Sequence, residues 1–203
     1  MKLIVISSAN VVSDEPQLIN SLFAAGLQYF HLRKPDATRS SVTDLLKSIK
    51  TEYYRHIALH QFHEIAGDFN IKRLHFTEEH RRKVDLHTVH GYLNEGYTLS
   101  NSIHHLPDLE KLTGHEYTFF GPVFNSLSKP QHLGVVADDF RLITNVETKV
   151  IALGGVTADH LGRIKVMNFD GAAMLGAIWN HPKKALESFN QLMNQLPDKY
   201  ENR

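Results

Sequence analysis

Short apolar runs rich in β-branched and aromatic residues recur along the chain, each separated from the next by a segment of different period. They are Leu3–Ile6, Tyr29–Leu32, Ile57–Leu59, Leu74–Phe76, Tyr97–Ser102, Tyr117–Phe120, Val150–Leu153 and Ala172–Leu175. This alternation constrains the fold more than any other feature. Several of the intervening segments carry helical periodicity. Asp14, Glu15 and Pro16 open one helix, Leu18, Ile19, Leu22 and Phe23 make its apolar face, and Gly26 ends it. Val42, Leu45, Leu46 and Ile49 follow the i, i+3, i+4, i+7 pattern. Thr157 reads as an N-cap before Leu161, Ile164 and Val166, and Ala185, Leu186, Phe189, Leu192 and Met193 mark a last helix. The segments 79–95 and 130–139 read as loops or irregular helices.

Strands joined by single helices imply right-handed crossovers and a parallel sheet. Eight such units in 203 residues predict a closed (β/α)8 TIM barrel of α/β class, with an open doubly wound sheet as the alternative. No linker or low-complexity stretch divides the chain, so residues 1–203 read as one domain. Zero formal charge supplies no basic field for nucleic acid or anionic membrane. No apolar run approaches a membrane span and the N-terminus turns polar too early for a signal peptide, so a cytoplasmic location is expected. The chain has no cysteine, which excludes disulfides and thiolate chemistry, and its 14 histidines are the one compositional excess. A homodimer is compatible with a small barrel, although no residue pattern demands one.

In a parallel barrel the active site lies beyond the C-terminal ends of the strands. Those ends are polar here: His31, Arg33 and Lys34; His60 and Gln61; His75, Thr77, Glu78 and Glu79; Asn101, Ser102 and His104; Asn125, Ser126, Ser128 and Lys129. Gly154-Gly155 stands between a strand and a helix N-cap, where bare backbone N–H groups can approach an anion, and Gly176 offers the same after the last strand. Ser126, Ser128 and Lys129 are donors for the opposite wall of such a phosphate site. The alternative is a tight turn and ordinary loop residues.

These motifs together resemble thiamin-phosphate synthase and the TenI-type thiazole tautomerases. "YFHLRKP" is similar to the family's Q-L-R-E-K, "RLHFTEEH" to H-L-G-Q-x-D, "SNSIHH" to S-x-H-S, "VIALGGV" to A-I-G-G-I and "GAAMLGAIW" to A-V-x-S-A-I. "FFGPVFNSLSK" resembles G-P-I-F-x-T-x-T-K, with Ser126 and Ser128 for the threonines and Lys129 retained. The resemblance implies that Ser126, Ser128, Lys129, Gly154, Gly155 and Gly176 hold a thiazole phosphate. It also implies that Arg33 and Lys34 hold the diphosphate of a pyrimidine co-substrate, that Mg2+ assists its departure, and that Glu79 is a metal ligand.

The sequence departs from the family at several of these points. His60-Gln61 stands where the family has an Asn-Asp pair, Pro35 where it has the lysine of Q-L-R-E-K, and His80 or Glu79 at its strand-4 aspartate. The tautomerase alternative needs acid–base groups and no metal, which suits His31 and His104. Its usual strand-6 histidine is Pro122 here. A non-catalytic thiazole-phosphate binder is the third reading. His60, His63, His75 and His80 with Glu64, Glu78 and Glu79 also suggest Zn2+ or Fe2+ ligands, but no H-E-x-x-H is present and scattered or hydrogen-bonded histidines explain them more simply. Trp179 reads as a packing residue at the barrel rim.

Overall fold

A computed structural model describes residues 1–125, 134, 136–137 and 139–196. Eight strands, β1 (Lys2–Ile6), β2 (Tyr29–Leu32), β3 (Ile57–Leu59), β4 (Arg73–Phe76), β5 (Thr98–Ile103), β6 (His115–Phe120), β7 (Lys149–Leu153) and β8 (Gly171–Met174), close in sequence order. Every pairing is parallel, and β1 seals the circle against β8. The predicted bounds of β2 and β3 hold at both ends, and the edges of the other six strands shift by one or two residues, as end fraying does.

Period-2 alternation splits the core into two layers. Leu3, Val5, Phe30, Leu32, Leu74, Phe76, Val150 and Ala152 face the helices, whereas Ile4, Ile6, Tyr117, Phe119, Ile151 and Ala173 fill the barrel interior. His31 lies between Phe30 and Leu32 and His75 between Leu74 and Phe76, so both histidines point inward. A barrel interior normally carries branched aliphatic residues at such positions. At the N-terminal end, Lys2 and Arg73 both pair with Glu116, Arg73 at 2.9 Å.

The helices are α1 (Glu15–Ala24), α2 (Arg39–Lys47), α3 (Glu78–Arg81), α4 (Leu86–Asn94), α5 (Leu161–Val166), α6 (Gly176–Trp179) and α7 (Ala185–Asn194). Pro16 sits in the first turn of α1, Ile19, Leu22 and Phe23 are buried, and Gly26 stops the chain at a φ of 102°. Segment 79–95, expected to be irregular, forms most of α3 and all of α4. Thr77 accepts from the His80 N–H at 3.2 Å and Asp85 from the Thr88 N–H at 2.7 Å, so two side-chain caps start two short helices. Much of segment 130–139 lies outside the described residues. Thr157 caps a 3-10 turn (Ala158–His160) that leads into α5, with its own N–H donating to His160 Nδ1 at 3.3 Å. Two expected apolar contacts are corrected: Val166 is 56% and Leu186 38% exposed, because both fall off the stripes set by Leu161 and Ile164 and by Ala185, Phe189 and Leu192.

Candidate active site at the C-terminal mouth of the barrel

The strand exits converge on a cavity of about 300 Å3. Ile6, Phe119, Leu153 and Leu175 form its apolar wall, and Arg33, His60, Thr77, Glu78, Ser102 and His104 supply polar groups. A few convergent polar groups on an apolar wall are the usual form of a small-molecule site. A larger groove, about 680 Å3, lies between the β1–α1 loop and α2; among the described residues its charged groups are Glu15, Lys34 and Asp36.

Arg33 is held at the mouth through its backbone. Its N–H donates to Ser7 Oγ at 2.8 Å, and that hydroxyl donates to the Arg33 carbonyl at 2.9 Å. Among the described residues no carboxylate pairs with its guanidinium. The neighbouring Lys34 is placed differently. It is 7% exposed, and its Nζ donates to both Glu15 oxygens at 2.7 and 2.6 Å and to the Asn10 carbonyl at 3.0 Å. Burial pushes the Glu15 carboxyl up while the Lys34 ammonium pulls it back. Gln61 accepts from the Lys34 N–H at 3.1 Å and donates to its carbonyl, so it clamps this strand exit.

His104 lines the cavity with Nδ1 on Glu78, which also pairs with Arg82. Slight burial raises the Glu78 carboxyl, but the His104 hydrogen bond and the nearby charges bring it below the ordinary value. His31 is fully buried beneath the cavity, with Nδ1 2.8 Å from His60 Nε2 and Nε2 2.7 Å from the Tyr117 hydroxyl. Burial, with Arg73 nearby, lowers its pKa to about 3. His75 contacts the Ser100 and Ser102 hydroxyls at 2.9 Å each, and its ring stacks on His60 at 4.0 Å. Sequence reasoning grouped His60 and His75 with His63 and His80; the inward cluster instead takes in His31. His63 and His80 stack on each other and contact the outward-facing Phe76. Strand parity, with His31 and His75 both flanked by apolar neighbours, was the signal that could have found it.

Glu79 is not brought to the cavity. Its side chain is 81% exposed and pairs with Lys83 at 2.6 Å. Mg2+ favours carboxylates and water, and the cavity has one described carboxylate, Glu78, already committed to His104 and Arg82. This donor set does not fit an Mg2+ site.

Ser126, Ser128 and Lys129 lie outside the described residues, but the segment leading to them is fixed. The Val123 N–H donates to the Leu153 carbonyl at 2.8 Å and the Phe124 N–H to the Gly154 carbonyl at 3.0 Å. Gly154 and Gly155 have φ of 96° and 65°. A Cβ on Gly154 would fall 2.7 Å from Pro122 Cα, and one on Gly155 would fall 2.2 Å from the Asn125 carbonyl oxygen. The glycines thus let the β6 exit lie against the end of β7. Gly176 opens α6 beside the cavity-lining Leu175. Trp179 is buried at the rim and donates to the Ile6 carbonyl at 2.6 Å, a packing role as expected.

The family model described as thiamine monophosphate synthase (TMP-TENI) matches residues 3–178. A thiamine-phosphate synthase from Prochlorococcus marinus is 24% identical over 92% of this chain, which spans only 55% of that relative's length. One from Clostridium tetani is 22% identical over 90% of each chain. The crystal structure of thiamine phosphate pyrophosphorylase from Bacteroides thetaiotaomicron is similar at a TM-score of 0.74 and 26% identity, covering 96% of this chain and 97% of that one. With the family match running from β1 into α6, the chain belongs to the thiamine monophosphate synthase and TenI family.

Proposed function

We propose that the protein makes thiamin phosphate by joining a hydroxymethylpyrimidine, delivered as its diphosphate, to hydroxyethylthiazole phosphate. The observation that carries this reading is the Arg33 guanidinium, which lines the mouth cavity without a carboxylate partner among the described residues, in a chain whose relatives bear the synthase name. The C–O bond to the pyrimidine methylene breaks, and its electron pair leaves with pyrophosphate. The thiazole nitrogen then forms the C–N bond. Arg33 receives the growing negative charge through paired N–H donors. Phe119, Ile6, Leu153 and Leu175 hold the two rings and exclude water from the cation. Ser126, Ser128 and Lys129, with Gly154, Gly155 and Gly176, hold the thiazole phosphate in this reading. The contact of the β6 exit with Gly154 and Gly155 supports it, because it brings Asn125, the residue before Ser126, beside them. Lys34 stays with Glu15 and fixes the strand exit that carries Arg33.

A second reading, thiazole tautomerisation, is favoured by His104, a cavity imidazole oriented by Glu78 and suited to moving a proton. His31, with both ring nitrogens engaged, acts there only through His60. Phosphorus and proton NMR of the protein with each substrate set, Mg2+ present, separates the readings. Enzyme-dependent thiamin phosphate and pyrophosphate is the expected result. Conversion of the thiazole carboxylate phosphate alone would replace synthase by tautomerase, and tight thiazole-phosphate binding without turnover would make the protein a binder.

A further inference from the structure

Three imidazoles share the barrel interior. His31 of β2, His60 just after β3 and His75 of β4 each place a ring nitrogen within 4.8 Å of those of the other two. They are 0%, 7% and 0% exposed. Burial is the main reason all three pKa values fall well below the ordinary histidine range, so the rings are neutral and keep their lone pairs at pH 7.

Two further observations separate this trio from a satisfied polar core. The outer partners are hydroxyls: Tyr117 holds His31 through Nε2, and Ser100 on Nδ1 or Ser102 on Nε2 can hold the His75 ring while its other nitrogen turns to a ligand. His60 Nδ1, by contrast, is buried and has no hydrogen-bond partner. Such an orphaned atom is rare in a native core, and it means that the protein alone does not satisfy the polar groups of the trio. His60 also lines the mouth cavity, which gives the trio a route to solvent.

We infer that His31, His60 and His75 form a binding site for one divalent transition metal of the Zn2+, Co2+ or Fe2+ class. The metal takes the place of the His31 Nδ1–His60 Nε2 hydrogen bond and of one of the two serine contacts of His75. Neutral imidazoles suit these borderline cations and not Mg2+. Three uncharged ligands leave the cation's charge uncompensated, so the loaded site attracts an anionic oxygen from the cavity. This site is independent of which reaction the mouth performs.

The test is a titration of the full chain, stripped with chelator, with Co2+. One equivalent is expected to bind with the intense visible d–d absorption of a four-coordinate, nitrogen-rich site, and Zn2+ to displace it. His60→Gln and His75→Gln are each expected to weaken binding by about 100-fold or more. His90→Gln, on the exposed face of α4, is expected to leave it unchanged. X-ray absorption of the Zn2+-loaded wild type should show imidazole nitrogens at about 2.0–2.1 Å, a reading that does not require the variants to fold. Absence of a saturable equivalent, carboxylate-dominated scattering, or a spectrum surviving both cluster substitutions would overturn the site and leave adventitious binding by surface histidines. No substrate enters these measurements, so their failure is distinct from failure of the synthase reading.

Discussion

Arg33 and Lys34 are adjacent cations with different physical fates. Arg33 faces a cavity, whereas Lys34 is folded back onto Glu15 in a nearly dry pair. Removing one member of a buried pair strands the other charge, at a cost of about 3–5 kcal/mol. Lys34→Met should therefore lower the unfolding free energy read from urea titration by that much, and Glu15→Leu added to it should restore most of the loss. Arg33→Met should leave the midpoint unchanged and reduce kcat/KM for thiamin phosphate formation by about 100-fold or more, the scale of a lost charge-stabilising donor. If Lys34→Met folds normally and loses only activity, Lys34 is a ligand for the diphosphate after all. The sequence made the two cations look equivalent because Glu15 lies on a different element. In contrast, the inward direction of His31 and His75 was legible, since each stands between two residues that face the helices. Their meeting with His60 required the closed register of β2, β3 and β4.

At the scale of elements, the exit of β6 depends on the turn after β7. Gly155→Ala would have to tolerate a left-handed φ, about 1–2 kcal/mol for an L-residue, and a methyl carbon inside van der Waals range of the Asn125 carbonyl. The cheapest relief is to lift segment 121–125 away from β7. Calorimetric titration with hydroxyethylthiazole phosphate should then show affinity reduced by about tenfold or more, equivalent to about 1.4 kcal/mol, while the strands persist by circular dichroism. Unchanged affinity would mean that this segment does not position the phosphate ligands. Strands were the legible elements, even β3 with only three residues, because each is an apolar run between segments of another period. The helices α3 and α4 were not, since Val89 is their one buried residue and their starts depend on the side-chain caps of Thr77 and Asp85.

For the whole molecule, the consequence of three neutral histidines inside a closed barrel is acid lability. Unfolding returns each imidazole to water and to a pKa near 6.5, whereas the native value is about 3 for His31 and well below 6.5 for His60 and His75. Below about pH 6.5 the unfolded chain binds protons that the native chain refuses, so stability rises with pH across this window and falls on acidification. Arg73 from β4 and Arg33 from the end of β2 reinforce the refusal. Glu15, whose carboxyl is raised, opposes the trend, whereas His56, His63 and His115, all lowered chiefly by burial, add to it. Each excluded proton is worth about 1.4 kcal/mol per pH unit, so the trio contributes about 4 kcal/mol per unit. That is a large share of the roughly 5–15 kcal/mol that stabilises a typical domain. Urea midpoints should therefore collapse between about pH 6.5 and about pH 5, with net proton uptake on unfolding in the same interval. His31→Phe should make the slope shallower by about 1.4 kcal/mol per pH unit, since it removes one excluded proton. A midpoint independent of pH over this interval would mean that the native barrel accepts these protons, and hence that its interior is wet. Zn2+ bound to the trio would stabilise the native form further near neutrality and be lost as the imidazoles protonate, steepening the transition in loaded protein relative to stripped protein.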